Sequence, residues 1–222
     1  ELLLNILPAQ AAEQLKTYGK VMPRSYDMAT VMFTDFKGFT IISEKLTPKH
    51  LVSEIDFCFR KFDEIITRYR IEKIKTIGDA YMCAGGIPVD NISNPVDTVM
   101  AAFEIQRFMT GLNEEKRTKG ETPWELRVGI HTGPLVAGIV GVKKFAYDIW
   151  GDTVNVASRM ESAGEARRIN VSGPTYRFIE PYFNCTYRGK VAAKNKGEIE
   201  MYFVDGLKPE FTSEPGGTVP NE

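Results

Sequence analysis

The chain has 222 residues, and its 28 lysines and arginines against 29 aspartates and glutamates leave a formal net charge of -1. With 43% hydrophobic and 26% charged residues it reads as one globular domain, long enough to bury roughly 70% of its unfolded surface without staples. The balance excludes the bulk positive charge of a nucleic-acid or anionic-membrane binder, so any polyanion must be caught by a local cluster.

Cys58, Cys83 and Cys185 are too scattered for a disulfide framework or a zinc ribbon, and their odd number fits a reducing compartment. The longest apolar run, 135–142, holds eight residues including two glycines, far short of the roughly 20 that span a bilayer. These features read as a cytoplasmic segment with no nucleic-acid partner and no membrane contact of its own. A chain that opens on Glu1 reads as a piece of a longer polypeptide, whose missing N-terminal part can carry a tether.

Residues 1–24 form a leader. Leu3, Ile6 and Leu7, then Ala11, Ala12 and Leu15 after Pro8, fall near helical spacing and suit either the end of an upstream helix or a short helix packed on this domain. The run ATVMFTDF at 29–36 is a buried strand that turns at Gly38. A helix follows, with Leu51, Ile55, Phe59, Phe62, Ile66 and Tyr69 on one face. Strands at 72–77 and 80–84 join through Gly78 and Asp79. Asn94 then Pro95 reads as a helix N-cap with proline in the first turn, and that helix runs out in cations and Gly120. Strands at 125–131 and 135–142 come next, with Thr132, Gly133 and Pro134 turning between them.

The order βαββαβ predicts an α+β fold with a ferredoxin-like core. A C-terminal αβ extension follows: a helix at 154–162, a segment at 170–181, and strands at 185–190 and 199–204. The catalytic domain would run over 25–207, and 208–222, rich in glycine and proline, reads as a disordered tail.

Two carboxylates stand out by position. Asp35 ends an apolar strand and Asp79 tips the hairpin that lies beside it in such a sheet, so both can converge at one edge and hold magnesium ions through oxygen. Each alone also suits a plainer role as a cap or turn former. Gly38, Phe39 and Thr40 open a helix and offer backbone amides to a phosphate, although the chain has no P-loop motif. His50 and His131 read as structural, and Cys58 and Cys83 as core.

Four segments together, VMFTDFKGFT (31–40), KIKTIGD (73–79), RVGIHTG (127–133) and YDIWGDTVNVASRM (147–160), closely resemble the signatures of class III nucleotidyl cyclase catalytic domains. The resemblance implies conversion of a nucleoside triphosphate to its 3',5'-cyclic monophosphate and pyrophosphate. It implies that Asp35 and Asp79, with the Phe36 carbonyl, hold two Mg2+ or Mn2+ ions that assist in-line attack of the ribose 3'-hydroxyl on the α-phosphorus.

Lys75 and Asp148 match the base-reading pair. A lysine donor beside an aspartate acceptor complements the adenine edge, whereas guanylyl cyclases resemble one another in Glu and Cys there, so ATP is the expected substrate. Asn155 and Arg159, one helical turn apart, match the ribose-orienting and transition-state residues. Lys194 matches a lysine contacting the β and γ phosphates, although Asn195 departs from the family's glycine. The resemblance further implies a head-to-tail homodimer with sites shared between chains. The alternatives are a guanylyl cyclase and a regulatory pseudocyclase, and Asn155 and Arg159 argue against the second.

Overall fold

A computed structural model describes residues 6–141, 145–193, 197–212, 214 and 216–221. Its elements in chain order are α1 (Ala9–Tyr18), β1 (Arg24–Phe36), α2 (Phe39–Ser43), α3 (Pro48–Arg68), β2 (Ile71–Ile77), β3 (Ala80–Gly85) and α4 (Asn94–Thr118). They continue with β4 (Leu126–Val140), β5 (Ala146–Trp150), α5 (Asp152–Ser162), β6 (Ile169–Ser172), α6 (Gly173–Ile179), β7 (Phe183–Ala193) and β8 (Gly197–Leu207). One mostly antiparallel sheet has the order β2-β3-β1-β4-β6-β8-β7, with β5 paired to β4. The predicted α+β class and the βαββαβ core are both present. Among the described residues, no helix is long and apolar enough to cross a membrane.

The central strands are buried on both faces, which explains their near-continuous apolar runs. Met32, Phe36, Tyr81 and Cys83 join the core under α3 and α4, with Phe62, Ile65, Val99 and Ile105. The alternate residues Val31, Phe33, Met82 and Ala84 face the other way, into a cluster with Tyr147, Ile149 and Ala157. Leu7, Ala11 and Ala12 belong to that second cluster, so of the two readings of the leader helix the structure has the one packed on this domain. Pro8 occupies the N-cap of α1 rather than breaking it, and its carbonyl accepts from the Ala12 amide. Leu3 lies outside the described residues.

Three expectations are corrected. No turn separates 125–131 from 135–142: β4 runs unbroken through Thr132, Gly133 and Pro134. The ladder to β1 shifts register between Tyr26 and Ala29, so Asp27 and Met28 bulge opposite Pro134, which needs no amide partner there. Val142 lies outside the described residues. The N-cap of α4 is Ser93, not Asn94. Asn94 instead turns inward, fully buried, to accept a hydrogen bond from Thr30 Oγ1 at 2.5 Å.

The tail, finally, is fastened where it is described. Leu207 N donates to Gly217 O at 2.6 Å, Arg107 Nη1 to Thr218 O at 2.6 Å and Asn221 N to Phe211 O at 2.8 Å. Composition does not register such specific backbone bonds.

Candidate active site

Asp35, one residue from the end of β1, sits directly opposite Arg127 at the start of β4. Arg127 Nη2 donates to Asp35 Oδ2 at 2.6 Å. From the other side the Arg127 Nε approaches Glu161 Oε1 at 2.9 Å. That approach is an ion pair rather than a hydrogen bond, since neither atom is aimed at a partner. Glu161 lies in the last turn of α5, 9% exposed at its side chain. The helix reaches it by pressing on β4 at Gly129, where a β-carbon would fall 1.9 Å from Glu161 N. Only glycine fits at that crossing. Arg127 and Glu161 escaped the reading of the sequence; their signals are an arginine opening an apolar strand opposite Asp35, and a glutamate one turn beyond Ala157.

Asp79 stands half-buried at the hairpin tip, after Gly78 in the left-handed region at φ 63°. Burial first, then the charge of Asp35 and a hydrogen bond to its carboxyl, push the Asp79 carboxyl up to about 6, against the pull of the Asp79 and Phe36 amides. The two aspartates are therefore brought together, as expected from the sheet order. Burial, joined by the charge of Asp35, also raises Glu161, while Arg127 pulls it down. Crowded carboxylates that raise one another's affinity for protons are the donor set a divalent cation relieves. Among the described residues no three His, Cys, Asp or Glu side chains converge on one metal position. A cation here must complete its shell with other oxygens, for which the Phe36 carbonyl is adjacent in sequence.

This chemistry carries a pH signature. The folded value of Asp79 lies above the ordinary 3.8, so its contribution to metal-free stability is complete below 3.8 and is lost as pH rises through about 6. A divalent cation held by these carboxylates would have to displace the same proton. Mn2+ affinity is expected to be about tenfold lower at pH 5 than at pH 7, read by paramagnetic resonance of free Mn2+ without nucleotide. An affinity flat across that range contradicts the assignment.

Gly38, at φ 71°, caps α2, and its carbonyl accepts from Ile41 and Ile42. The amides of Phe39 and Thr40 open the helix, where no intrahelical acceptor precedes them. The Phe39 ring packs edge-on against Trp124 at 5.8 Å and stacks on Phe36 at 6.4 Å, fixing this loop beside Asp35.

Lys75 and Asp148 come together on two strands that are not ladder neighbours: Lys75 Nζ donates to Asp148 Oδ2 at 2.5 Å. A register shift between Lys73 and Lys75 precedes this contact on edge strand β2. Asp148 Oδ1 accepts from Ile149 N at 2.9 Å, which orients the carboxylate. Asn155 and Arg159 lie exposed on α5, four residues apart, and neither side chain makes a hydrogen bond or ion pair with another described residue. No hydrogen bond or ion pair among the described residues joins Lys75, Asp148, Asn155 or Arg159 to the Asp35–Asp79 pair. Lys194 and its neighbours Asn195 and Lys196 lie outside the described residues.

The family model for the adenylate and guanylate cyclase catalytic domain matches residues 21–206. The chain is 38% identical over 216 residues to an adenylate cyclase of Mycobacterium tuberculosis, covering 97% of this chain and 47% of that protein. It is also 38% identical over 222 residues to human guanylyl cyclase C, covering 98% of this chain and 20% of that protein. It thus spans about half the length of the first relative and a fifth of the second.

Among solved structures, the adenylyl cyclase CyaB from P. aeruginosa superposes with a TM-score of 0.80 at 30% identity, over 86% of this chain and all of that one. The guanylate cyclase domain of RhGC from Catenaria anguillulae, solved with GTP, gives 0.78 at 31%, over 83% of this chain and all of that one. With its fold, paired aspartates and a family match over residues 21–206, the chain belongs to the class III adenylate and guanylate cyclase catalytic domain family.

Proposed function

We propose that this domain is an adenylyl cyclase, converting ATP to 3',5'-cyclic AMP and pyrophosphate at sites shared across a head-to-tail homodimer. The relatives do not choose the base, since an adenylate and a guanylyl cyclase are equally similar. The Lys75–Asp148 pair carries the choice. Its ammonium donates to N1 of adenine and its carboxylate accepts from the 6-amino group; guanine presents the opposite polarity at both positions. Leaving both groups unpaired against the wrong base discriminates by a factor on the order of 10⁴ at best.

Asp35, Asp79 and the Phe36 carbonyl would hold two Mg2+ or Mn2+ ions, which when bound lower the pKa of the 3'-hydroxyl and neutralise the triphosphate. The amides after Gly38, at Phe39 and Thr40, and the Lys194 ammonium bind the phosphates. Asn155 orients the ribose, and Arg159 meets the charge that builds on the α-phosphate as the O3'–P bond forms and the bond to pyrophosphate breaks. The exposure of both residues on α5, without partners of their own, suits a role toward a second chain. A C2 pair is the commonest closed arrangement for such sharing.

The deciding measurement is cyclic AMP and cyclic GMP formation from ATP and GTP, with Mg2+ or Mn2+, at increasing protein concentration. Cyclic AMP with a rate per chain that rises with concentration is the expected result. Cyclic GMP as the main product, or no cyclic product with either metal, defeats the proposal.

A further inference from the structure

The metal reading leaves one group unaccounted for. If Asp35 and Asp79 hold cations, the Asp35 carboxylate must be free to take them, and Arg127 holds one of its oxygens. The Arg127 side chain is only 28% exposed, so once Asp35 is given up its partly buried charge depends on Glu161 as the remaining partner. Glu161 already stands at the Nε side of the same guanidinium, 2.9 Å away and misaligned. A small rotation about the end of the arginine side chain converts that approach into an aligned, charge-assisted hydrogen bond.

The position of Glu161 is built rather than incidental. Gly129 lets the backbone of α5 lie against β4 at this residue. Asn170 Nδ2 donates to Met160 O at 2.7 Å and Arg188 Nη1 to Ala163 O at 2.6 Å, pinning the helix on both sides of it.

We propose that Glu161 is a positioning residue: it shares Arg127 with Asp35 and keeps hold of it when Asp35 takes up metal, so that the metal aspartate exchanges an arginine for a cation without leaving the arginine unpaired. This rests on the two-cation reading of Asp35 and Asp79. Because Glu161 lies two residues after Arg159, the exchange bears on the same helix that presents Asn155 and Arg159.

The test is a double-mutant cycle on Mn2+ affinity, read from the resonance of free Mn2+ over the full chain without nucleotide. Glu161→Gln keeps the shape and removes the charge; it is expected to weaken Mn2+ binding about tenfold, because Arg127 is then left to Asp35 alone. Arg127→Gln removes the competitor, and in that background Glu161→Gln is expected to change the affinity by less than about twofold. The melting temperature of each variant guards against a folding defect, since Arg127→Gln also takes the ion-pair partner from Asp35.

An equal loss from Glu161→Gln with and without Arg127 means that the carboxylate acts on the metal directly or only on the fold, and overturns the proposal. So does unchanged affinity in the single variant, provided Asp35→Asn weakens binding. Binding that Asp35→Asn leaves intact overturns the metal reading itself, and the role of Glu161 with it.

Discussion

Chains carrying Asp35→Ala and chains carrying Arg159→Ala, each nearly inactive alone, are expected to recover activity when mixed. Removing a cation aimed at developing phosphate charge costs a factor of about 10²–10³ in kcat. Removing Asp35 takes away one of the two convergent side-chain carboxylates proposed to hold metal. If each site takes its aspartates from one chain and its Asn155 and Arg159 from the other, a mixed dimer has one intact site and one doubly defective site. Random exchange makes half the dimers mixed, so the mixture should reach about a quarter of the unaltered rate per chain. The measurement is cyclic nucleotide output against mixing ratio, peaking at equal amounts. A mixture that stays at the sum of its inactive parts, under conditions where dimers exchange, shows that each chain builds its site alone. The geometry within one chain favours recovery, because no described polar contact connects the two groups of residues and Asn155 and Arg159 are left facing outward.

Much of this arrangement was legible from the sequence. The apolar run that ends in Asp35 and the Gly78-Asp79 turn pair mark strand ends, and the order βαββαβ puts those ends side by side, so convergence of the aspartates followed from topology. Helical spacing located α3 and α4 to within a few residues. What escaped detection shares a physical cause: it depends on contacts distant in sequence. The Thr132-Gly133-Pro134 run carries every local mark of a turn, yet the two-residue bulge at Asp27 and Met28 on the partner strand accommodates the proline within a continuous ladder. Asn94 has the residue type of an N-cap, yet Thr30, 64 positions away, claims its side chain. Arg127 is invisible as a site residue until the β1–β4 register sets it opposite Asp35. Glu161 is hidden further, since its place depends on the close crossing of α5 over Gly129.

Exchanging Lys75 and Asp148, the proposed base-reading pair, should redirect nucleotide choice with little effect on the fold. The side chains of Lys75 and Asp148 are 42% and 21% exposed, and a pair at such exposure contributes about 0–1 kcal/mol to stability. Lys75→Glu with Asp148→Cys places an acceptor where the donor stood and takes the carboxylate away from the second position, the pattern that the guanylyl cyclase likeness calls for. The double variant is expected to lose ATP turnover by a factor on the order of 10²–10⁴ in kcat/KM and to gain GTP turnover, because the acceptor now meets the N1–H of guanine instead of the lone pair of adenine. Asp148→Cys alone should lower kcat/KM for ATP without creating GTP activity, since the Lys75 ammonium still opposes the guanine N1–H. The check is kcat/KM for both nucleotides in all four combinations, with the melting temperature as control. Equal losses for ATP and GTP at unchanged melting temperature would mean that the pair supports the site without reading the base, and the assignment of ATP would lose the observation on which it stands.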